Sequence, residues 1–307
     1  MQVKDYMHTA PFTVLPEDLV RTARQRLRDH HIRHLPVVTV GNTLVGVITD
    51  RDIRQAGASD EPHMAEHELT YLLEQMTVQE LMTRQVVTVS RATPVVEAAQ
   101  ILLERRFGCL PVVRADNTLE GIITVTDLLH AYVKRPEYLQ AWEGIQPAGA
   151  PPAPPAAGRV RLVRAMMHTA VVTAAPETSL VEAQRLMRVQ RIRHLPVVSG
   201  TRLVGLVTDR DLRDAMPSPA TTLSRGEIAY QMDTTRLQTC MTRNVVSIHP
   251  DIDMVQAVCI LLRGPFGCLP VIEDGALVGM LTEIDCLRAF LLAEGSGEAG
   301  HGAPAAK

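Results

Sequence analysis

One short pattern governs this chain: a Leu-Pro-Val, a turn, then apolar-Gly-apolar-apolar-Thr-x-x-Asp, written four times. The copies read RHLPVVTVGNTLVGVITDRD (33–52), FGCLPVVRADNTLEGIITVTD (107–127), RHLPVVSGTRLVGLVTDRD (193–211) and FGCLPVIEDGALVGMLTEID (266–285). Self-similarity of this kind outranks local propensity, because each repeat is a unit that completes its core against a neighbour. The match runs upstream without a gap. Steps of 75, 160 and 234 from Met7 reach Met82, Met167 and Met241, and the same steps carry Thr13 to Thr88, Thr173 and Ser247, and Ala23 to Ala98, Ala183 and Ala257. Copies one and three share RHLPVV and TDRD, whereas two and four share FGCLPV. The unit is therefore a pair that was itself duplicated, and each half has the size of an ordinary domain.

Within a copy the periods are readable. TVLP at 13–16 reads as a short strand; Val20, Ala23 and Leu27 then recur at helical spacing, with Asp18 as the expected N-cap. Thr93 ahead of Pro94, Thr178, and Asp251 with Asp253 are expected to start the equivalent helices, a proline at the first helical position losing no needed N–H. LPVV and LVGVIT are Val-rich runs around Gly-Asn or Asn-Thr turn residues, which predicts a hairpin, and a second helix opens at the Thr-x-x-Asp. Each copy is predicted to be β-α-β-β-α, an α/β fold built of α+β repeats.

This arrangement resembles the cystathionine β-synthase (CBS) domain, over nearly all of the chain outside its linkers and tail. A single Gly-x-x-Thr-x-x-Asp is a weak signal, but four in register behind a Leu-Pro-Val are specific. The resemblance implies that two repeats pack through their sheets into a pair, called a Bateman module, and that adenosine-containing ligands bind in clefts between repeats. It also implies that the two modules of this chain close into a pseudo-symmetric disc, with a homodimer between chains as the alternative. The first pair is expected over residues 1–143, with repeats at about 1–56 and 78–134, and the second over 160–293, with repeats at about 160–216 and 236–292.

Residues 144–159 are Pro/Ala-rich and lack a periodic apolar face, so they read as a semi-rigid spacer. The tail, 294–307, has a disordered composition. The connectors at 55–77 and 214–236 carry Tyr71 and Tyr230 at the same distance from Met82 and Met241, which predicts a shared helix. Apolar residues make up 46% of the chain, enough for a core in each pair. No apolar run approaches a membrane span and the polar start has no signal-peptide core, so a cytoplasmic protein is expected. Five cysteines without a C-x-x-C indicate neither a disulfide framework nor a zinc site, and a net charge of -3 argues against general nucleic-acid binding.

The chemistry starts at the Thr-x-x-Asp. A carboxylate at a helix start can accept both hydroxyls of a ribose, while neighbouring N–H groups and the helix dipole favour a phosphate. By the resemblance, Asp52, Asp127, Asp211 and Asp285 are the ribose-binding residues; Thr49, Thr124, Thr208 and Thr282 offer a hydroxyl one turn earlier. The alternative is that these residues only cap the second helix. Gly46, Gly121, Gly205 and Gly279 either admit a ligand to the backbone or relieve crowding between strands. Odd copies add charge: Arg51 and Arg210 precede the Asp, and His34 and His194 precede the Leu-Pro, all expected phosphate partners unless they are merely solvated. Even copies have Thr126 and Ile284, with Cys109 and Cys268, which read as small buried residues. Arg106 is one candidate for lending charge across a cleft from a neighbouring repeat, which would blur this contrast.

His30, His31 and His34 have metal-compatible spacing, but only His34 is repeated, as His194, so a helix-end cluster is the favoured reading and no metal is expected. His8 and His168 follow the repeated Met and are candidates for the cleft, with their role open. No catalytic motif is found, and all sizeable folded segments are used by the repeats. The expected function is a non-catalytic sensor that binds AMP, ADP or ATP as ligand, with no cofactor, and modulates a partner protein. The alternatives are a module for another adenosine ligand (cyclic di-AMP, S-adenosylmethionine or NAD) and a ligand-free assembly scaffold.

Overall fold

The computed structural model describes residues 1–56, 75–134, 161–215, 224–264 and 266–295. The Pro/Ala-rich spacer, most of the tail, and 57–74 of the first connector lie outside the described residues; in the second connector the expected helix is present at Arg225–Thr234. The chain divides into two compact units, Met1–Ala131 with Glu294–Lys307, and Tyr132–Ala293.

The first unit holds α1 (Val20–Asp29), β1 (His34–Val38), β2 (Leu44–Thr49), α2 (Asp50–Ala56), α3 (Val78–Leu81), α4 (Val95–Arg105), β3 (Cys109–Val113), β4 (Leu119–Thr124) and most of α5 (Val125–Val133). The second holds α6 (Leu180–Gln190), β5 (His194–Ser199), β6 (Arg202–Thr208), α7 (Asp209–Asp214), α8 (Arg225–Thr234), α9 (Met254–Arg263), β7 (Cys268–Glu273), β8 (Ala276–Thr282) and most of α10 (Glu283–Gly295). Each strand pair is an antiparallel hairpin, in register from His34↔Thr49 to Val37↔Gly46 in the first copy and likewise in the others. This is the expected mixed α/β repeat, and its alternation puts Leu35, Val37 and Ile48 into the core beside Val20, Ala23 and Leu27 of α1.

Two local expectations are corrected. The strand predicted at 13–16 is a single parallel bridge, Val14↔Val37, repeated as Val89↔Val112, Ala174↔Val197 and Ile248↔Val271. Pairing stops there because the Leu15 N–H donates to the Asp18 carboxylate at 2.9 Å and Pro16 has no N–H. Asp18, Thr93 and Thr178 accordingly cap the preceding turn: Thr93 accepts from Ser90 and Thr178 from Ala175, while Leu19, Pro94 and Ser179 are the helix N-caps. Asp253 does cap α9, accepting from Val255 N–H at 2.6 Å.

The repeats of each unit exchange backbone. His8, near the start of the first repeat, pairs with Ile122 on β4 through two hydrogen bonds of 2.9 and 3.0 Å, and Thr83, near the start of the second, pairs with Val47 on β2 at 2.9 and 3.0 Å. His168 with Met280 and Thr242 with Leu206 repeat this in the second unit. In the first unit the hairpin turns also interlock. Asn42 donates to the Leu119 carbonyl at 2.9 Å and Asn117 to that of Leu44 at 2.7 Å, both asparagines holding a left-handed backbone, which asparagine tolerates better than most side chains.

Candidate functional site

Each Thr-x-x-Asp closes the same small ring at the start of the second helix of its repeat. Thr49 donates its N–H and its hydroxyl to Asp52 Oδ2 at 2.8 and 2.7 Å, and the Asp52 N–H donates back to Thr49 Oγ1 at 3.2 Å. The pairs Thr124 with Asp127, Thr208 with Asp211 and Thr282 with Asp285 make the same two bonds to Oδ2 at 2.6 to 2.9 Å. The helix-capping role is therefore real in every copy. It engages one carboxylate oxygen and leaves Oδ1 to other partners.

What Oδ1 meets separates the copies. Asp52 and Asp211 are half-buried, and among the described residues nothing donates to their Oδ1. Asp127 Oδ1 lies 3.0 Å from His8 Nε2, and Asp285 Oδ1 lies 2.9 Å from His168 Nε2 and 3.4 Å from Arg288 Nη1. Both histidines come from the exchanged segment of the other repeat, which gives a role to the position left open in the sequence. Arg288 carries no motif; its only sequence signal is the i, i+3 spacing from Asp285.

The remaining candidates fall into place around these rings. The hairpin register sets His34 opposite Thr49 and His194 opposite Thr208, while Cys109 and Cys268 stand opposite Thr124 and Thr282. His34 packs on Gly108 and His194 on Gly267, where a β-carbon would sit 2.7 Å from His194 Nε2. Arg51 and Arg210 are exposed beside the odd aspartates and make no ion pair among the described residues. Arg106 ends α4 in a left-handed conformation. Gly46, Gly121, Gly205 and Gly279 face Met82, Met7, Met241 and Met167, so the exchanged segments crowd all four.

The histidine cluster does not converge. His30 stacks on Phe12 with ring centroids 3.6 Å apart, while His34 turns to Gly108. Among the described residues the group whose ligand atoms gather is His249, Asp251 and Glu273, and Arg164 already bridges its two carboxylates at 2.6 and 2.9 Å. That guanidinium holds the Asp251 carboxyl below the usual range and opposes a cation there. Burial pushes the Cys109, Cys259 and Cys268 thiols up to about 12 and raises Cys286 further, which leaves them as packing groups and not nucleophiles.

Comparison with known proteins agrees with this architecture. The chain is 26% identical over 286 residues to protein MJ1225 of Methanocaldococcus jannaschii, covering 91% of this chain and 94% of that one. It is 26% identical over 289 residues to a 33.4 kDa protein of Thermofilum pendens, covering 90% and 87%. The crystal structure of MJ1225 superposes with a TM-score of 0.71 at 24% identity, over 94% of this chain and all of that one, and so shares the fold. Some similar proteins are enzymes, such as the inosine-5'-monophosphate dehydrogenase of Korarchaeum cryptofilum, 35% identical over 116 residues, but the match spans only 21% of that enzyme. Among the described residues no helix is long and apolar enough to cross a membrane. The CBS domain family matches at residues 3–59, 78–134, 163–218 and 237–292, and the chain belongs to that family, as four repeats in two tandem pairs.

Proposed function

We propose that this chain is a non-catalytic regulatory module that binds an adenine nucleotide, AMP, ADP or ATP, at its Thr-x-x-Asp sites and modulates a partner protein. The observation that carries the reading is the divided aspartate. One oxygen of Asp52 and of Asp211 is locked by threonine, and the other accepts no hydrogen bond among the described residues, with an arginine next in sequence. A pre-oriented carboxylate is a good acceptor for a ribose hydroxyl, and the guanidinium of Arg51 or Arg210 suits a phosphate chain. A nucleotide that binds one arrangement of the repeats better than another shifts the population of the two, and with it the surface offered to a partner.

The capping bonds favour one competing reading, a scaffold in which Thr-x-x-Asp serves folding alone. Calorimetric titration of the full chain with AMP, ADP and ATP, paired with mass spectrometry of small molecules released from natively purified protein, separates the two. Saturable adenine-nucleotide binding lost on replacing Asp52 and Asp211 supports the sensor. Retained cyclic di-AMP, S-adenosylmethionine or NAD points to another adenosine ligand, and the absence of any bound or titratable ligand leaves the scaffold.

A further inference from the structure

We infer that His8 and His168 hold the Asp127 and Asp285 sites shut, so that the chain takes nucleotide at Asp52 and Asp211 and not at the other two positions. The inference rests on the reading of the Thr-x-x-Asp carboxylates as ribose sites. The Asp285 side chain has 0% exposure, and both its oxygens are engaged, Oδ2 by Thr282 and Oδ1 by His168 and Arg288. Asp127 is 10% exposed, with Oδ2 on Thr124 and Oδ1 on His8. The imidazoles themselves lie on the outside, 68% exposed for His8 and 58% for His168. Each is a lid one side chain thick over a buried carboxylate.

The backbone beneath is the same at all four sites. His8 and His168 dock on Ile122 and Met280 by the same pair of backbone hydrogen bonds that dock Thr83 and Thr242 on Val47 and Leu206. At the odd sites the docked residue is a threonine, and no hydrogen bond joins Thr83 to Asp52 or Thr242 to Asp211 among the described residues. Whether the site is covered is thus decided by the side chain at one position and not by the chain path. A ribose hydroxyl reaching Asp127 or Asp285 has to displace an imidazole that the fold holds 3.0 or 2.9 Å from Oδ1, and an intramolecular competitor acts at high effective concentration. At Asp52 and Asp211 it meets no such competitor among the described residues.

The test exchanges the side chain for the one the other copies use. Full-length protein and the His8→Thr/His168→Thr variant are compared by equilibrium dialysis with labelled AMP, with thermal unfolding as a check on folding. The His8→Ala/His168→Ala variant serves as a second version if the first does not fold. The expected result is two AMP per chain in the parent and four in the variant, the added two being lost when Asp127→Asn and Asp285→Asn are introduced. Four AMP in the parent, or no gain in the folded variant, overturns the inference. A parent that binds no AMP counts against Asp52 and Asp211 as nucleotide sites. Even then, a gain dependent on Asp127 and Asp285 supports the histidine lids, and no gain overturns them.

Discussion

The Met82 sulfur fills the space over Gly46: a β-carbon on that glycine would lie 2.6 Å from it. The same relation joins Gly121 to Met7, Gly205 to Met241 and Gly279 to Met167. The fourfold glycine is thus the imprint of a fourfold methionine delivered by the exchanged segment, and the two repeated positions are halves of one contact. Overfilling such a contact destabilises, because close-packed interiors have no spare volume.

Alanine at these glycines should therefore cost stability unequally. At Gly46 the nearest atoms belong to the flexible end of Met82, which can shift, and about 1 kcal/mol is expected. At Gly121 the nearest atom is the His8 carbonyl oxygen at 2.6 Å, a backbone group already bonded to Ile122, so Gly121→Ala should cost about 2–3 kcal/mol. Urea unfolding of the two variants decides it; an equal or reversed cost would show that the docked backbone is not the limiting contact.

Asparagine at Asp52 and Asp211 should separate capping from ligand binding. Its carbonyl oxygen can take the two bonds from threonine, while the other atom becomes a neutral N–H donor, so a ribose hydroxyl loses the charged acceptor it would donate to. Adenine-nucleotide affinity should fall by about 1.5–3 kcal/mol, roughly 10- to 150-fold, with the unfolding midpoint nearly unchanged. Alanine at the same positions should lose the affinity and also about 0.5–2 kcal/mol of stability, because the cap goes with the carboxylate. Titration calorimetry alongside unfolding reads both, and affinity retained in the asparagine variant would leave Thr-x-x-Asp as a cap only.

Removing charge beside the odd sites should discriminate among ligands. Arg51→Ala/Arg210→Ala should weaken ATP and AMP while sparing adenosine, since these exposed guanidinium groups are suited to a phosphate and not to the nucleoside. The loss should shrink at high salt, where exposed charges are screened. Equal ATP affinity in parent and variant would remove the arginines from the site.

The thiols should react in two classes. Cys109, Cys259, Cys268 and Cys286 are buried with raised pKa values, whereas Cys240 is only half-buried. Desolvation raises Cys240 too, so at pH 8 it should react with a thiol reagent slowly but ahead of the others, and all five should react after denaturation. A second thiol reacting as early as Cys240 in the native protein would contradict the burial of the other four.

Much of this protein was legible without coordinates, because a pattern repeated in register averages out local ambiguity. The hairpins, the helix behind each Thr-x-x-Asp and the odd–even alternation follow from the periods around Val37, Gly46 and Asp52, which depend on neighbours within a few residues. Helix starts were misplaced by one residue at Asp18, Thr93 and Thr178, since a side chain that caps a turn and one that caps a helix obey the same local chemistry and differ only in which N–H is near. What tertiary structure alone decided is the traffic between repeats. The sequence places Met7 and His8 more than a hundred residues from Gly121 and Asp127, and no period links them. Only the backbone exchange between repeats brings that segment onto β4, where the methionine meets the glycine and the imidazole meets the carboxylate. The sequence determined four alike Thr-x-x-Asp rings; folding made them unlike, because whether an aspartate keeps a free oxygen depends on a side chain that arrives from the other repeat.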